Sequence, residues 1–187
     1  SSKAIVNAVN NTQGKIITYG GKPINAFFHA NSGGATEAPV NVWGGTGYPY
    51  LQTVTTSGEN AYSGYSSKVT VSKKDFESKI KEEHSNFKIN FNDKECIKIK
   101  EYTDGNRVKT IKIGNLELSG VEIRSIFSLR SANFKVTIKD DSIIFEVVGY
   151  GHGVGMSQTG ADSMAKEGKN YEEIIKHYYT GVEIVNL

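Results

Sequence analysis

The chain has 187 residues, 37% of them hydrophobic and 22% charged, with a formal net charge of +2. That is the composition of an ordinary globular chain, enough for one compact domain over residues 1–187 with a core that needs no staples. Charges of both signs are spread along it, which argues against a nucleic-acid partner, and the single Cys96 excludes an intrachain disulfide or a thiolate-rich zinc site.

No stretch approaches the roughly twenty apolar residues of a membrane span. The opening Ser1-Ser2-Lys3-Ala4-Ile5 shows no charged-then-apolar leader pattern and reads as a start in mid-domain. Residues up to Tyr19 begin ambiguously and end in the strand-like Lys15-Ile16-Ile17-Thr18-Tyr19. Gly20-Gly21-Lys22-Pro23 is a turn, and Ile24 to His29 resumes as a strand, so a β-hairpin is expected. From Asn31 to Tyr50 no period is visible, and a structureless stretch of that length inside a compact domain is usually functional.

A short strand over Val69–Val71 leads to Ser72, a natural N-cap with Asp75 three residues on, and to a helix carrying Phe76 and Ile80. Strands are expected over 88–91, 97–102, 108–113, 116–118, 133–139 and 143–148, with a short helix over 120–128. Cys96 lies in an alternating stretch and reads as a small core hydrophobe. Helices over 157–166 and 171–179 close the chain, the second burying Ile174, Ile175, Tyr178 and Tyr179. The fold class is therefore α+β, with antiparallel β-hairpins, a central helix and two C-terminal helices.

Two segments carry chemistry. In Gly149-Tyr150-Gly151-His152-Gly153-Val154-Gly155-Met156-Ser157-Gln158, four alternating glycines stand between a strand and a helix. Their spacing fits neither phosphate-loop pattern, but backbone N–H groups with Ser157 and Gln158 at a helix start suit uncharged polar ligands. In Phe27 to Glu37, His29, Ser32, Thr36 and Glu37 surround Gly33-Gly34 beside two aromatics, the mixed donors and acceptors that a sugar requires. His29 with Ser32 lacks an Asp to complete a hydrolytic triad, and His29, His152 and Glu37 have no metal-ligand spacing. Trp43, Tyr48, Tyr50, Tyr62 and Tyr65 offer flat faces for stacking on sugars, or else rings that pin their own loop.

Taken in order, these motifs resemble the stage II sporulation protein D family, which also includes enhancers of cell-wall amidases. The resemblance covers nearly the whole chain. It runs from Ile17-x-Tyr19-x-Gly21-Lys22-Pro23-Ile24 and Phe28-His29-x-x-Ser32-Gly33-Gly34-x-Thr36-Glu37 through Val42-Trp43 and Tyr48-Pro49-Tyr50-Leu51. It continues in Ser119-Gly120-x-Glu122-Ile123-Arg124, Leu129-Arg130-Ser131, Gly151-His152-Gly153-Val154-Gly155-Met156-Ser157-Gln158 and His177-Tyr178-Tyr179.

The resemblance implies a lytic transglycosylase that cuts peptide-stripped glycan strands of peptidoglycan during spore engulfment. It implies no cofactor, a peptidoglycan amidase and a membrane anchor protein as partners, and a place outside the cytoplasm. In such a reaction one carboxylic acid protonates the glycosidic oxygen, then as carboxylate helps the C6 hydroxyl attack the anomeric carbon. The family carries that glutamate upstream, in a Glu-Met-Pro-like motif that these 187 residues do not contain, and some members carry an upstream Cys/His metal motif that is likewise missing. The chain corresponds to the larger, C-terminal part of the domain, with no catalytic residue and no metal ligand of its own. The substrate groove then falls to His29, Ser32, Gly33, Gly34, Thr36, Glu37, Trp43, Tyr50, His152, Gly153, Gly155, Ser157 and Gln158. His29, Ser32, Glu37, His152 and Gln158 are expected in one cleft. Gly153 and Gly155 are expected at ordinary backbone angles, tolerant of alanine in the fold but not in binding.

Overall fold

A computed structural model describes residues 2–187. The chain begins with helix α1 (Lys3–Asn11), capped by the Ser2 hydroxyl, and enters strand β1 (Lys15–Tyr19). The Gly20-Gly21 turn returns it as β2 (Lys22–Pro23), and the two pair antiparallel. The hairpin is shorter than expected, because Ile24 to Phe27 leave the sheet. Strand β3 (Phe28–His29) pairs elsewhere, as described below. A four-residue helix α2 (Val40–Trp43) interrupts the long aperiodic stretch.

Next come β4 (Ser66–Ser72) and α3 (Lys73–Glu83), where the Ser72 hydroxyl accepts the Asp75 N–H at 3.0 Å. They are followed by β5 (Ile97–Tyr102), β6 (Val108–Ile113), β7 (Leu116–Ser119) and α4 (Gly120–Ile126). Strands β8 (Phe134–Lys139) and β9 (Ser142–Val148) form the last long hairpin. Then come β10 (Met156–Ser157), α5 (Gln158–Lys166), α6 (Tyr171–Tyr178) and β11 (Glu183–Asn186). Residues 88–91 are not a strand: the Lys88 N–H donates instead to the Asn115 side chain at 2.7 Å. The architecture is α+β, with antiparallel hairpins, α3 against the core and two helices near the C-terminus, as the sequence predicts.

Two hydrophobic clusters hold these elements. In the first, the sheets β4-β9-β8 and β5-β6-β7 bury Ile111, Ile113, Phe134, Ile143 and Phe145 with Phe76 and Ile80 of α3 and Ile123 of α4. Phe76 stacks on Phe127 with ring centroids 5.0 Å apart. In the second, Tyr50, Leu51, Val154, Ile174, Tyr178, Tyr179 and Val182 pack with Ile17 and Ile24. Here the end of the chain returns to its start: β11 pairs antiparallel with β1, Lys15 opposite Asn186. The glycine-rich segment leaves β9 in the first cluster and delivers Val154 to the second. It crosses the polar loops after β3 on the way, and the candidate site lies at that crossing.

Candidate functional site

The two motif segments meet through backbone. Strand β10 runs parallel to β3, with Met156 opposite Phe28 and Ser157 opposite His29. The Asn31 and Tyr150 N–H groups donate to each other's carbonyls, and the Glu37 N–H donates to the Gly153 carbonyl at 2.8 Å. A non-local pairing this short has no signature in either segment.

It brings His29 and His152 together, with ring centroids 5.7 Å apart. His29 is buried: Nδ1 lies 3.1 Å from the Val154 carbonyl and Nε2 2.8 Å from the Ser32 hydroxyl. A carbonyl only accepts, so Nδ1 carries the proton and Nε2 accepts from Ser32. Burial lowers the His29 pKa to about 4, the Val154 carbonyl opposing it, so the ring is neutral at pH 7. Geometrically this is a serine–histidine pair, but the Ser32 hydroxyl is fully buried and cannot meet a substrate. His152 is half-buried, and its Nδ1 accepts the Val154 N–H at 3.0 Å, which leaves the proton on Nε2. Burial and the Arg124 charge hold its pKa below the ordinary value.

From His152 a file of aromatic rings runs outward. Trp43 lies 5.2 Å from His152, Phe27 4.9 Å from Trp43, and Tyr48 6.1 Å from Phe27. Tyr50 follows at 5.6 Å and Tyr19 at 5.5 Å. Trp43 is 50% exposed and Tyr48 and Tyr19 are also open to solvent, while Tyr50 anchors the row from beneath. Phe27, Trp43 and Tyr48 line a surface hollow of about 380 Å³ together with Gly44, Gly45 and Gly47.

Glu59, in none of the motifs, organises the inner polar groups. It is buried and accepts the Ser32 N–H at 2.8 Å, the Gly34 N–H at 2.9 Å, and the hydroxyls of Thr56 and Ser157. Burial alone would raise its pKa, but these donors together hold it below the usual carboxylate range. Ser157 also caps α5, accepting the Gly160 N–H. Thr36 accepts from the Val54 N–H and donates to the Gln52 carbonyl. Glu37 is buried too, taking the Ala38 N–H, the Asn41 amide and the Thr103 hydroxyl. Ser32, Thr36, Glu37 and Ser157 are thus tied into the fold beneath the cleft. Gln158 stands exposed at the first turn of α5, where no side-chain hydrogen bond links it to His29 or His152.

The glycines serve packing. Gly153 and Gly155 hold φ of +86° and +73°, and a Cβ would fall 2.1 Å from Arg107 Nη2 and 2.0 Å from the Phe27 carbonyl oxygen, respectively. The expectation of ordinary backbone angles and alanine tolerance is overturned. Gly33, at φ +71°, presses against Val148 in the same manner, whereas Gly34 faces open space.

Arg107 is the second residue that the sequence reading misses. Only 3% exposed, it donates from Nη1 to the carbonyls of Ala35 and Gly105 and from Nη2 to that of Ser32. The guanidinium thus stitches the first cluster to the loop after β3. An arginine between the Asp104-Gly105-Asn106 turn and the start of β6 is its one sequence signal.

A scan against protein-family models finds no match. Curated relatives do match. The chain is 38% identical over 183 residues to stage II sporulation protein D of Bacillus amyloliquefaciens, which covers 97% of this chain and 51% of that protein. It is 37% identical over the same extent to the stage II sporulation protein D of Bacillus subtilis (strain 168). A third relative, the amidase enhancer of Bacillus subtilis, is 28% identical over 232 residues, 96% of this chain and 32% of that protein. The chain spans about half the length of the sporulation proteins it matches. With the motif order and these identities together, the chain is similar over nearly its whole length to the stage II sporulation D proteins.

Proposed function

We propose that this chain forms the glycan-binding part of a cell-wall protein of sporulating bacteria, acting outside the cytoplasm on peptidoglycan strands. The observation that carries the reading is the file of rings from Tyr19 to His152, partly exposed and bordered by a hollow lined in part by glycines. Sugar rings present flat C–H faces that stack on aromatics, and their hydroxyls need donors such as a neutral imidazole N–H. The names of the relatives point to sporulation and to amidase enhancement, which agrees with a wall substrate and with an amidase as partner.

In the complete protein the bound strand is cleaved by lytic chemistry. An acid protonates the glycosidic oxygen, and the resulting carboxylate helps the C6 hydroxyl close onto the anomeric carbon, so no water is consumed. The acid is not supplied from these residues: Glu37 and Glu59, the carboxylates nearest the cleft, are buried and fully hydrogen-bonded. This chain's share is to bind and orient the strand. The complete protein, incubated with peptide-stripped and intact peptidoglycan, should release anhydro-sugar ends detectable by mass analysis, from the stripped strands preferentially. The 187-residue chain should release none. Anhydro products from the short chain would defeat this division of labour.

A second reading follows from the same locked carboxylates and the amidase-enhancer relative: a binding module that stimulates a wall amidase without cutting glycan. Digests with the complete protein that contain no anhydro ends, beside amidase products that increase when it is added, would favour it.

A further inference from the structure

The hollow beside the ring file has no charged side chain in its lining. Phe27 is the ring that Trp43 and Tyr48 share, tilted against them at 43° and 55°, and Pro39 adds a fourth apolar surface. The rest of the lining is the loop from Gly44 to Gly47 that follows α2. At about 380 Å³ the hollow falls in the range of small-ligand pockets, roughly 300–1,000 Å³.

That loop offers backbone and little else. Gly44, Gly45 and Gly47 hold φ of +73°, +75° and +73°, yet a Cβ on any of them would meet open space. Unlike Gly153 and Gly155, they make room for no neighbouring part of the fold. The Gly44 N–H closes α2 onto the Val40 carbonyl at 3.0 Å. Among the described residues, the next four N–H groups, of Gly45, Thr46, Gly47 and Tyr48, have no acceptor in the chain. Four consecutive donors without partners, beside three aromatic rings and no charge, suit an uncharged acceptor on an apolar body. A planar amide that carries a methyl group meets both demands: its oxygen accepts, and its flat face and methyl lie against rings.

We propose that this hollow is an N-acetyl subsite. An N-acetylhexosamine stacks its ring on Trp43, and its acetamido group enters the hollow beside Phe27. The acetamido carbonyl accepts from the N–H groups of the loop, and the methyl rests against the aromatic walls. The inference rests on the glycan-binding reading above and adds to it a requirement at one sugar substituent. A hydroxyl in place of the acetamido group brings no methyl to the rings. An amine left by deacetylation is an ammonium, which has no acceptor to offer the loop. A strand whose hexosamines have been deacetylated beforehand therefore escapes this protein, so acetyl removal must follow its binding rather than precede it.

The test is calorimetric titration with three tetrasaccharides that differ in one substituent of each ring. Chitotetraose carries acetamido groups, its fully deacetylated counterpart carries amines, and cellotetraose carries hydroxyls. The protein should bind chitotetraose about tenfold tighter than either of the others. In an isotope-labelled sample, chitotetraose should shift the amide resonances of Gly45, Thr46, Gly47 and Tyr48, and cellotetraose should leave them nearly in place. Thr46→Phe, whose ring is large enough to occupy the hollow, should erase the advantage of chitotetraose over cellotetraose. Equal affinity of the unsubstituted protein for these two would overturn the subsite while leaving the groove in place. Tighter binding of the amino sugar would overturn it as well, since the rings would then be holding a cation. Failure to bind any of the three would sink the groove reading and this inference with it. The comparison of sugars needs no variant, so it decides the matter even if Thr46→Phe disturbs the loop.

Discussion

Gly153 and Gly155 show how a residue-scale feature of a binding motif can belong to the fold. Both occupy the left-handed region, where an added Cβ costs about 1–2 kcal/mol by itself. Each also faces a close neighbour, the buried and hydrogen-bonded Arg107 guanidinium or the Phe27 backbone carbonyl. The Phe27 carbonyl already accepts from the Tyr179 hydroxyl at 2.7 Å and the Met156 N–H at 3.0 Å, so displacing it disturbs β10 and the second cluster together. Gly155→Ala and Gly153→Ala should each lower the thermal midpoint by about 5 °C or more, read by calorimetry. Retained midpoints with weakened sugar binding would return these glycines to the ligand surface.

At the scale of elements, α2 contributes Trp43 to the aromatic file and packs Val42 against the edge of the second cluster. Trp43, at its C-terminal end, is half exposed and touches Phe27 and His152. Trp43→Ala should weaken glycan-strand binding by about five- to tenfold, the worth of one stacking face, while the melting midpoint stays within a degree or two. A large fall in midpoint with unchanged binding would make the ring file a loop anchor.

The same scale shows what the sequence made legible. Ser72 and Ser119 announced α3 and α4, and in α4 the Ser119–Glu122 capping box closes as the spacing suggests. Local chemistry of this kind is written in consecutive residues. Helix α1 was missed although Ser2 caps it and Ile5 and Val9 recur at helical spacing, and its apolar face lies in solvent. Strand β11 escaped because its partner β1 lies at the other end of the chain. In the candidate site, His29, His152 and Trp43 were found through their motifs, and the structure places them side by side. Glu59 and Arg107 were not found. Each is an ordinary charged residue in a turn-rich stretch, and only the packing that buries it and supplies its backbone partners gives it a role.

For the whole molecule, the polar layer between the two clusters should make stability depend on pH in an orderly way. His29 titrates near 6.5 when unfolded but at about 4 in the fold. Between those values the unfolded chain binds more protons, so stability is fully present above about pH 6.5 and declines as pH falls toward 4. The full loss from this one buried ring is on the order of 3 kcal/mol. Glu59 acts in the same direction but later: its folded pKa is depressed, so its contribution is present above the unfolded carboxylate value and lost as pH falls through the folded one. The thermal midpoint should therefore be flat from pH 7 to 8, fall between about 6.5 and 4, and fall again below that. His29→Gln should flatten the first limb and Glu59→Gln the second, each at the expense of a lower midpoint at pH 7, since Glu59→Gln removes the carboxylate that accepts four donors. A midpoint independent of pH between 6.5 and 4.5 would mean that His29 can charge within the fold. The buried hydrogen bonds from Ser32 and to Val154 would then not hold the ring in its neutral form, and the polar layer would be open to water.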